Sequence, residues 1–284
     1  MSNLPEGVDP RELTVVARRV LLDALTALTP HLRGVTVVGA QAVYLRSDDI
    51  ELPVAGSTRD ADLALAPDLI DHPPEIDRIM RGIGFKVPKP QQPGTWTRPE
   101  QVGHTRVDIP VDLLVPETFA GAGSRAATIP PHDRMTARRI PGLEAVLYDH
   151  DVMSVASLAP RSDRRVIQVQ VAGVPSLLIA KAHKIQDRLD DQERRPDRLT
   201  DKDAADVIRL FMAGDPDDVR ARWDGLAAIA KITTVVERGR DLLISQFADS
   251  AAPGVQMAER NLQGAAESPT ELAVAWISAF SMGT

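Results

Sequence analysis

The sequence predicts a mixed α/β domain built on a mixed β-sheet, followed by an α-helical C-terminal domain. Two observations support this fold class. Short β-prone runs alternate with segments of helical periodicity up to about residue 174, whereas almost everything after Pro175 has helical periodicity and helix-capping residues. We therefore place the domains at residues 1–174 and 175–284. With 43% apolar residues, the chain can build a core in each.

The first domain is predicted to begin with a helix. Asp9 is a good N-cap and Pro10 suits the first helical position. Apolar residues follow at helical spacing: Leu13, Val16, Val20, Leu21, Ala24, Leu25 and Leu28. The next predicted elements are a strand at Val35–Val38, a helix at Ala40–Arg46, a strand at Asp62–Ala66, a helix at Ile76–Ile83, a strand from Gly84 to Val87, a loop at Pro88–Pro99 and a strand at Arg106–Val115.

The rest of the chain changes from β-prone pieces to helices. Residues 120–134 have loop composition, and the β-prone pieces after them are Leu143–Tyr148, Val152–Leu158 and Val166–Val171. In the second domain, Pro175 begins a helix to about Gln192, Thr200 is predicted to cap a helix through Phe211, and Asp215-Pro216 begin a third. Ser268 and Glu271 form a capping box for the last helix.

Two aspartates, Asp60 and Asp62, are separated by one residue at the start of a predicted strand. In an extended chain the side chains of residues i and i+2 project to the same side, so both carboxylates can share a divalent cation. Asp112 lies among apolar residues, where an acid without a partner would be costly. Three such carboxylates can hold two divalent cations. The alternative is a pair of surface acids that only face water.

Gly39 ends the first predicted strand, directly before a predicted helix. A glycine lets backbone amides come close to a ligand, and a helix N-terminus attracts anions. A metal site and an anion cradle at one sheet edge together indicate nucleotide chemistry.

Three segments in this order resemble the nucleotidyltransferase superfamily that shares the DNA polymerase β type of fold. They are Val38-Gly39-Ala40-Gln41-Ala42, Thr58-Arg59-Asp60-Ala61-Asp62 and Val111-Asp112-Leu113-Leu114. Within the superfamily, the chain is most similar to the AbiEii and MenT group of toxin–antitoxin nucleotidyltransferases, through Ala180–Arg188 and Asp201–Asp206. The resemblance extends over residues 35–211.

The resemblance implies an enzyme that uses an NTP and releases pyrophosphate. It implies that Asp60, Asp62 and Asp112 bind Mg²⁺ in a two-metal site, and that the helical domain completes the active-site cleft. The implied catalytic residues are Asp60, Asp62, Asp112, Lys181 and Asp203. The nucleotide-binding residues are then Gly39, Ala40, Ser57, Thr58, Arg59, Lys184 and Arg188. Family members usually have a serine where Ala40 stands, so backbone amides, Ser57 or Thr58 would replace its phosphate contact.

Basic residues recur at helical spacing in the helix that Pro175 begins. Lys181, Lys184 and Arg188 are three and four residues apart, so they share one face that can bind a triphosphate or an acceptor backbone. A solvated basic face is the alternative. For Asp203 three roles remain open: it orients a lysine, activates an acceptor hydroxyl, or only stabilises a helix N-terminus.

The leading hypothesis is transfer of an NMP onto RNA, with the 3′ end of a tRNA as the first candidate, by a toxin that a partner antitoxin protein restrains. One alternative is transfer to a small molecule or a protein hydroxyl. Another is a nucleotide-binding module without turnover, for which Ala40 is the main argument. The net charge is −7, but residues 124–202 carry 14 basic and 11 acidic side chains. A nucleic-acid partner, if there is one, should therefore lie along that segment, and chance clustering of charge is the alternative.

Composition excludes several classes of protein. The chain has no cysteine, so it has neither a disulfide framework nor a thiolate metal site. We find no signal-like N-terminus and no run long enough to span a bilayer, so we expect a cytoplasmic protein without a membrane partner. The histidines show no zinc-like spacing. Trp96 is expected either to anchor the core or to stack on a base.

Overall fold

The computed structural model describes residues 7–47, 50, 58–89, 91–123, 125–265 and 267–282. The chain divides into two compact units. The α/β unit contains the described residues up to Ala42 and those from Thr58 to Ala172. The helical unit contains Val43–Ser47, Ile50 and the described residues from Gly173 onward. The protein is therefore a mixed α/β structure with a helical C-terminal region.

The strands of the α/β unit form one mixed, open sheet. They are β1 (Val35–Val38), β2 (Ala61–Leu65), β3 (Thr95–Val102), β4 (Thr105–Pro116), β5 (Arg138–Ile140), β6 (His150–Ala156) and β7 (Val166–Ala172). Their order is β3–β4–β2–β1–β7–β6, and β5 pairs with β4. β1 is antiparallel to β2 and parallel to β7, and β2 is parallel to β4. The central strands are apolar runs because both of their faces are covered.

Helices α1 (Pro10–Ala27) and α3 (Ile76–Gly82) belong to this unit, and α2 (Gly39–Arg46) begins in it. The predicted start of α1 is confirmed, since the Asp9 carboxylate accepts a hydrogen bond of 2.8 Å from the Arg11 amide. The apolar stripe of α1 is buried and packs on β2, β3, β4 and β7. On the same helix, the buried Arg18 donates to Gln41 at 2.9 Å and to the carbonyl of Ala156 at 3.1 Å. The first bond holds the start of α2 against α1, and the second holds the end of β6 there.

Three predictions about local structure in this unit are wrong. The predicted loop Pro88–Pro99 contains the start of β3, which lies at the edge of the described sheet, where polar residues and Pro99 are tolerated. The predicted strand Gly84–Val87 is reduced to one bridge between Lys86 and Thr97. The apolar run Leu143–Tyr148 forms a 3-10 helix at Glu144–Leu147, since a short apolar run does not distinguish strand from helix.

The helices of the helical unit are α4 (Val174–Asp190), α5 (Lys202–Ala213), α6 (Pro216–Ala227), α7 (Thr233–Phe247), α8 (Pro253–Asn261) and α9 (Pro269–Ser281). Two predicted caps are confirmed. The Asp215 carboxylate accepts from the amides of Asp217 and Asp218, and the Ser268 hydroxyl accepts from the amide of Glu271. Thr200 is not the predicted cap, because Asp201 is the residue that precedes α5. No helix among the described residues combines the length and apolarity that crossing a membrane requires.

Aromatic side chains form the core between α5, α6, α7 and α9. Phe211 stacks on Trp276 with ring centroids 4.2 Å apart, and Trp276 stacks on Phe280 at 5.2 Å. Phe247 meets Phe211 edge to face at 5.7 Å. Such contacts add to the stabilisation from burial. The first turns of α5 are buried as well, including the charged Asp203 and Asp206.

Candidate functional site

Asp62 and Asp112 lie side by side on adjacent parallel strands. Asp62 of β2 is in register with Asp112 of β4. Side chains in register on neighbouring strands project from the same face, and their strands are about 4.8 Å apart. Both residues are half-buried, and the Asp112 side chain is 14% exposed. The sheet therefore brings together two acids that are fifty residues apart in the chain.

The turn from β1 into α2 lies against Asp62. Gly39 has φ +63°, a backbone conformation that favours glycine. A Cβ atom at Gly39 would also overlap the Asp62 carboxylate. Glycine is thus required here for its backbone conformation and for the space that Asp62 occupies.

Asp60 precedes β2 and is exposed. The hydroxyl of the buried Thr58 donates to Asp60 Oδ1 at 2.8 Å and to its backbone carbonyl at 3.1 Å. Thr58, which the sequence assigned to nucleotide binding, thus orients Asp60. Of the other residues given that role, Arg59 is exposed and Ala40 is buried. Ser57 lies outside the described residues.

Over the part of the chain that the structure describes, no group of three or more histidine, aspartate or glutamate side chains is arranged to hold a metal ion. The strand register brings together Asp62 and Asp112, with Asp60 on the segment that leads into β2. The site is therefore a carboxylate pair with a third acid nearby in the chain.

Arg138 is a residue of this site that the sequence analysis missed. It lies on β5, in register with Leu114, which is two residues beyond Asp112 on the neighbouring strand. Its Nη2 donates to Asp112 Oδ2 at 2.5 Å. In the sequence, Arg138 is one of the 14 basic residues of the segment 124–202 and nothing local distinguishes it from the others. Its partner depends on the pairing of β4 with β5, which leaves no pattern in the sequence.

A pocket of about 590 Å³ opens beside this ion pair. Its charged lining residues are Arg59, Lys89, Arg106, Asp108, Asp112 and Arg138. Four cations thus face two carboxylates. Three of the cations precede residue 124, so this positive pocket lies mostly outside the segment where the sequence led us to expect one.

The helical unit contains a second charged cluster. Lys181 Nζ of α4 lies 2.7 Å from Asp203 Oδ1 and 2.5 Å from Asp206 Oδ2, both on α5. All three residues are buried. Lys184 reaches the same Asp203 oxygen at 2.9 Å with 44% of its side chain exposed, and Arg188 Nε is 3.9 Å from Asp203 Oδ2. The predicted shared face of the three cations is confirmed.

The electrostatics of this cluster favour one role for Asp203. Burial raises the pKa of the Asp203 carboxyl, but the charges of Lys181, Lys184 and Arg188 outweigh burial and lower the pKa far below its usual range. Burial likewise lowers the pKa of Lys181, but its two carboxylate partners outweigh burial and raise it. A carboxylate so firmly ionised is a poor proton acceptor. The arrangement suits orientation of the lysines better than activation of a hydroxyl.

Trp96 belongs to the core. It is fully buried, and its indole Nε1 donates to the carbonyl of Thr136 at 3.0 Å. Of the two roles left open by the sequence, anchoring the core is the one that this contact supports.

The described α/β unit thus has a glycine turn, a carboxylate pair and a cationic pocket next to one another. No protein-family model matches this chain, and no curated protein matches it either. Its function therefore has to be inferred from the geometry of these groups.

Proposed function

We propose that this chain is a magnesium-dependent nucleotidyltransferase with a domain of the DNA polymerase β type. It moves an NMP from an NTP onto an RNA acceptor, with the 3′ end of a tRNA as the first candidate. It acts as the toxin of a toxin–antitoxin pair and has a cognate antitoxin protein as partner. The observation that carries the proposal is the register of Asp62 with Asp112 beside the Gly39 turn.

The residues of the site suit magnesium. Mg²⁺ is a hard cation that prefers carboxylate oxygens and is commonly held by one or two carboxylates together with substrate phosphates. Asp62 and Asp112 offer two carboxylates on one face. These two residues would hold the ion, with Asp60 as the third ligand. When bound, Mg²⁺ supplies charge neutralisation to the phosphates and alignment of the reacting oxygens.

In the proposed reaction, a hydroxyl oxygen of the acceptor forms a bond to the α-phosphorus of the NTP. The bond from that phosphorus to the oxygen bridging to the β-phosphate breaks, and pyrophosphate leaves. The hydroxyl proton passes to a carboxylate of the site and then to solvent. Gly39 leaves room for the Asp62 carboxylate, and Thr58 orients Asp60.

In the helical unit, we assign the phosphate contact to Lys184 rather than Lys181. The Lys181 ammonium is enclosed by two carboxylates, whereas Lys184 has one of these partners and is partly exposed. Lys181 and Asp203 are then positioning residues, and Arg188 is a second contact for the nucleotide. Lys184→Ala should raise the apparent dissociation constant for the NTP, measured by equilibrium binding, while leaving the unfolding temperature of the protein almost unchanged.

The experiment that tests the function measures transfer of label from each α-labelled NTP to total tRNA, with and without Mg²⁺. Asp62→Asn and Asp112→Asn should each lower transfer on the order of a hundredfold or more, as when a contact that stabilises transition-state charge is removed. Asp68→Asn is the matched control, since Asp68 is exposed three residues beyond β2. Transfer that survives both site substitutions, or no transfer to any RNA beside an active control enzyme, contradicts the proposal.

Two alternatives have an observation in their favour. The net charge of −7 favours a small molecule or a protein hydroxyl as acceptor over a nucleic acid. Ala40 lacks the phosphate-binding hydroxyl and favours a nucleotide-binding module without turnover. Pyrophosphate release with metabolite or protein fractions, but not with RNA, selects the first. Nucleotide binding without pyrophosphate release in any fraction selects the second.

A further inference from the structure

We infer that the cationic pocket beside Asp112 is the subsite that binds the sugar–phosphate backbone of an RNA acceptor. We call it the acceptor pocket and define it by Arg59, Lys89, Arg106 and Arg138. The inference rests on the proposed function and adds to it the place and the chemical class of the second substrate.

The sheet order places the acceptor pocket and the glycine turn on opposite sides of the carboxylate pair. β2 has β1 on one side and β4 on the other. Gly39 follows β1, whereas Arg106 lies on β4 and Arg138 on β5, which pairs with β4. The pair Asp62 and Asp112 therefore separates the turn from the pocket.

This separation matches the geometry of phosphoryl transfer. The attacking and leaving oxygens lie on opposite sides of the reacting phosphorus, roughly in line. A triphosphate that uses the Gly39 turn directs its pyrophosphate toward β1. The attacking hydroxyl then has to arrive from the β4 side, where the acceptor pocket opens next to Asp112. The pocket is thus where the molecule bearing that hydroxyl would bind.

The charges of the pocket indicate what kind of molecule this is. Arg59, Lys89 and Arg106 are exposed, and a neutral acceptor would give such cations nothing to bind. A phosphodiester chain offers each of them an anionic oxygen, and arginine binds phosphate with two parallel hydrogen bonds. No aromatic side chain lines the described part of the pocket. Contacts there therefore go to the RNA backbone rather than to its bases, with little sequence preference.

Arg138 connects the pocket to the carboxylates. Its Nη2 donates to Asp112, while its Nε is buried and has no hydrogen-bond acceptor among the described residues. A divalent cation held at Asp112 would compete with the guanidinium for the carboxylate, and Arg138 would then have further N–H donors for an anion. A phosphate in the acceptor pocket would be the nearest acceptor for these N–H donors.

The test compares two double variants. Lys89→Gln with Arg106→Gln removes two pocket cations and spares the carboxylates. Arg161→Gln with Arg164→Gln removes two exposed cations from the segment between β6 and β7, within the basic stretch of the sequence. Binding of fluorescein-labelled deacylated tRNA and of a labelled single-stranded RNA is followed by anisotropy over a series of salt concentrations. Binding of a fluorescent ATP analogue is measured in parallel.

We expect the pocket variant to bind both RNAs at least about tenfold more weakly. The plot of log association constant against log salt concentration should become less steep, its negative slope shrinking in magnitude by about 1.4–1.8. Each lost phosphate contact contributes about 0.7–0.9 to that magnitude. The control variant should retain the RNA affinity and slope of the unaltered protein, and ATP affinity should be equal in all three proteins. Unchanged RNA affinity in the pocket variant overturns the inference, as does an equal loss in the control variant. A parallel loss of ATP affinity also overturns it, since the pocket would then bind the triphosphate.

Failure of the proposed function gives a different result. If the unaltered protein transfers no label but the pocket variant still loses RNA affinity, the acceptor pocket stands and the nucleotidyltransferase proposal falls. If label transfer occurs and the pocket variant binds RNA normally, the enzyme proposal stands and the acceptor pocket falls.

Discussion

The guanidinium of Arg138 lies 2.5 Å from the carboxylate of Asp112, on a strand that pairs with the strand of Asp112. In the proposed enzyme, a divalent cation held at Asp112 would compete with this guanidinium for the carboxylate. The ion pair is partly exposed, at 34% for Arg138 and 14% for Asp112, so water screens it. It acts as a modest barrier to cation binding.

Arg138→Gln should therefore strengthen cation binding. A partly exposed ion pair contributes up to about 1 kcal/mol, so Mn²⁺ should bind about fivefold more tightly, measured by calorimetry without nucleotide or RNA. Arg106→Gln is the control, because it removes a charge from the same pocket without breaking the ion pair. Equal gains in the two variants would show that net charge, and not the contact with Asp112, sets the affinity.

Gly39→Ala should damage both the fold and the site. A non-glycine residue in the left-handed backbone region costs about 1–2 kcal/mol, and the new Cβ also displaces the Asp62 carboxylate. We expect a lower unfolding temperature by calorimetry and weaker Mn²⁺ binding. Gly82→Ala is the matched control, since a Cβ at the end of α3 meets no atom within 4 Å. Its effect should stay within about 1 kcal/mol. Equal stability of the two variants would contradict the close approach at Gly39.

Lys181→Met should destabilise the helical unit far more than Lys184→Met. Removing Lys181 leaves two buried carboxylates without their main partner, which costs about 3–5 kcal/mol. Losing the partly exposed Lys184 should cost less than about 1 kcal/mol. Urea denaturation gives the stabilities, and hydrogen exchange of α4 and α5 peptides locates the loss.

Neutralising the acids provides the control for Lys181. Lys181→Met combined with Asp203→Asn and Asp206→Asn should recover part of the lost stability, because no buried charge is then left unpaired. A triple variant as unstable as Lys181→Met alone would mean that packing, and not charge, is what Lys181 supplies.

The α/β unit should lose stability in mild acid. Burial lowers the pKa of both His31 and His132, whose rings are 5.6 Å apart, below the ordinary value of 6.5. Below about pH 6.5 these two histidines bind protons in the unfolded chain but stay neutral in the folded protein until the pH is lower. Their stabilising contribution is thus complete above this pH and is lost as the pH falls toward the folded pKa.

The measurement is the unfolding temperature at about pH 7.5 and about pH 5. His31→Leu should reduce the drop in unfolding temperature between the two pH values, because it removes one of the two buried histidines whose protonation opposes folding. His104→Leu alters an exposed histidine near the turn between β3 and β4 and should leave the drop unchanged. If His31→Leu retains the full drop, another group causes the acid sensitivity.

Most of the secondary structure was predictable because the signals are local. The caps at Asp9, Asp215 and Ser268 are made by atoms two or three residues apart, so their sequence patterns are sufficient. The β3 segment was misassigned because its state depends on a distant partner. β3 is a strand because it pairs with β4. Its polar residues and Pro99 do not predict that pairing.

The residues of the candidate site likewise divide into those that a local sequence pattern identifies and those that it does not. Asp60, Asp62, Asp112 and Gly39 could be named from the sequence, since a strand that ends in glycine and acids spaced by two residues are visible in it. Arg138 could not, because it is 26 positions beyond Asp112 and the segment between them carries no periodic signal. The burial of Lys181 was equally invisible, since helical spacing shows which residues share a face but not what covers that face.

The sequence by itself determined the alternation of strands and helices, the helical C-terminal region, most of the helix starts and the identity of the acids. Each of these depends on backbone preferences and hydrogen bonds within a few residues. Only the tertiary structure decided that Asp62 stands in register with Asp112, that Arg138 neutralises Asp112, and that cations from four segments line one pocket. Those relationships depend on which strands pair and in which register, and pairing is settled by the packing of the whole sheet.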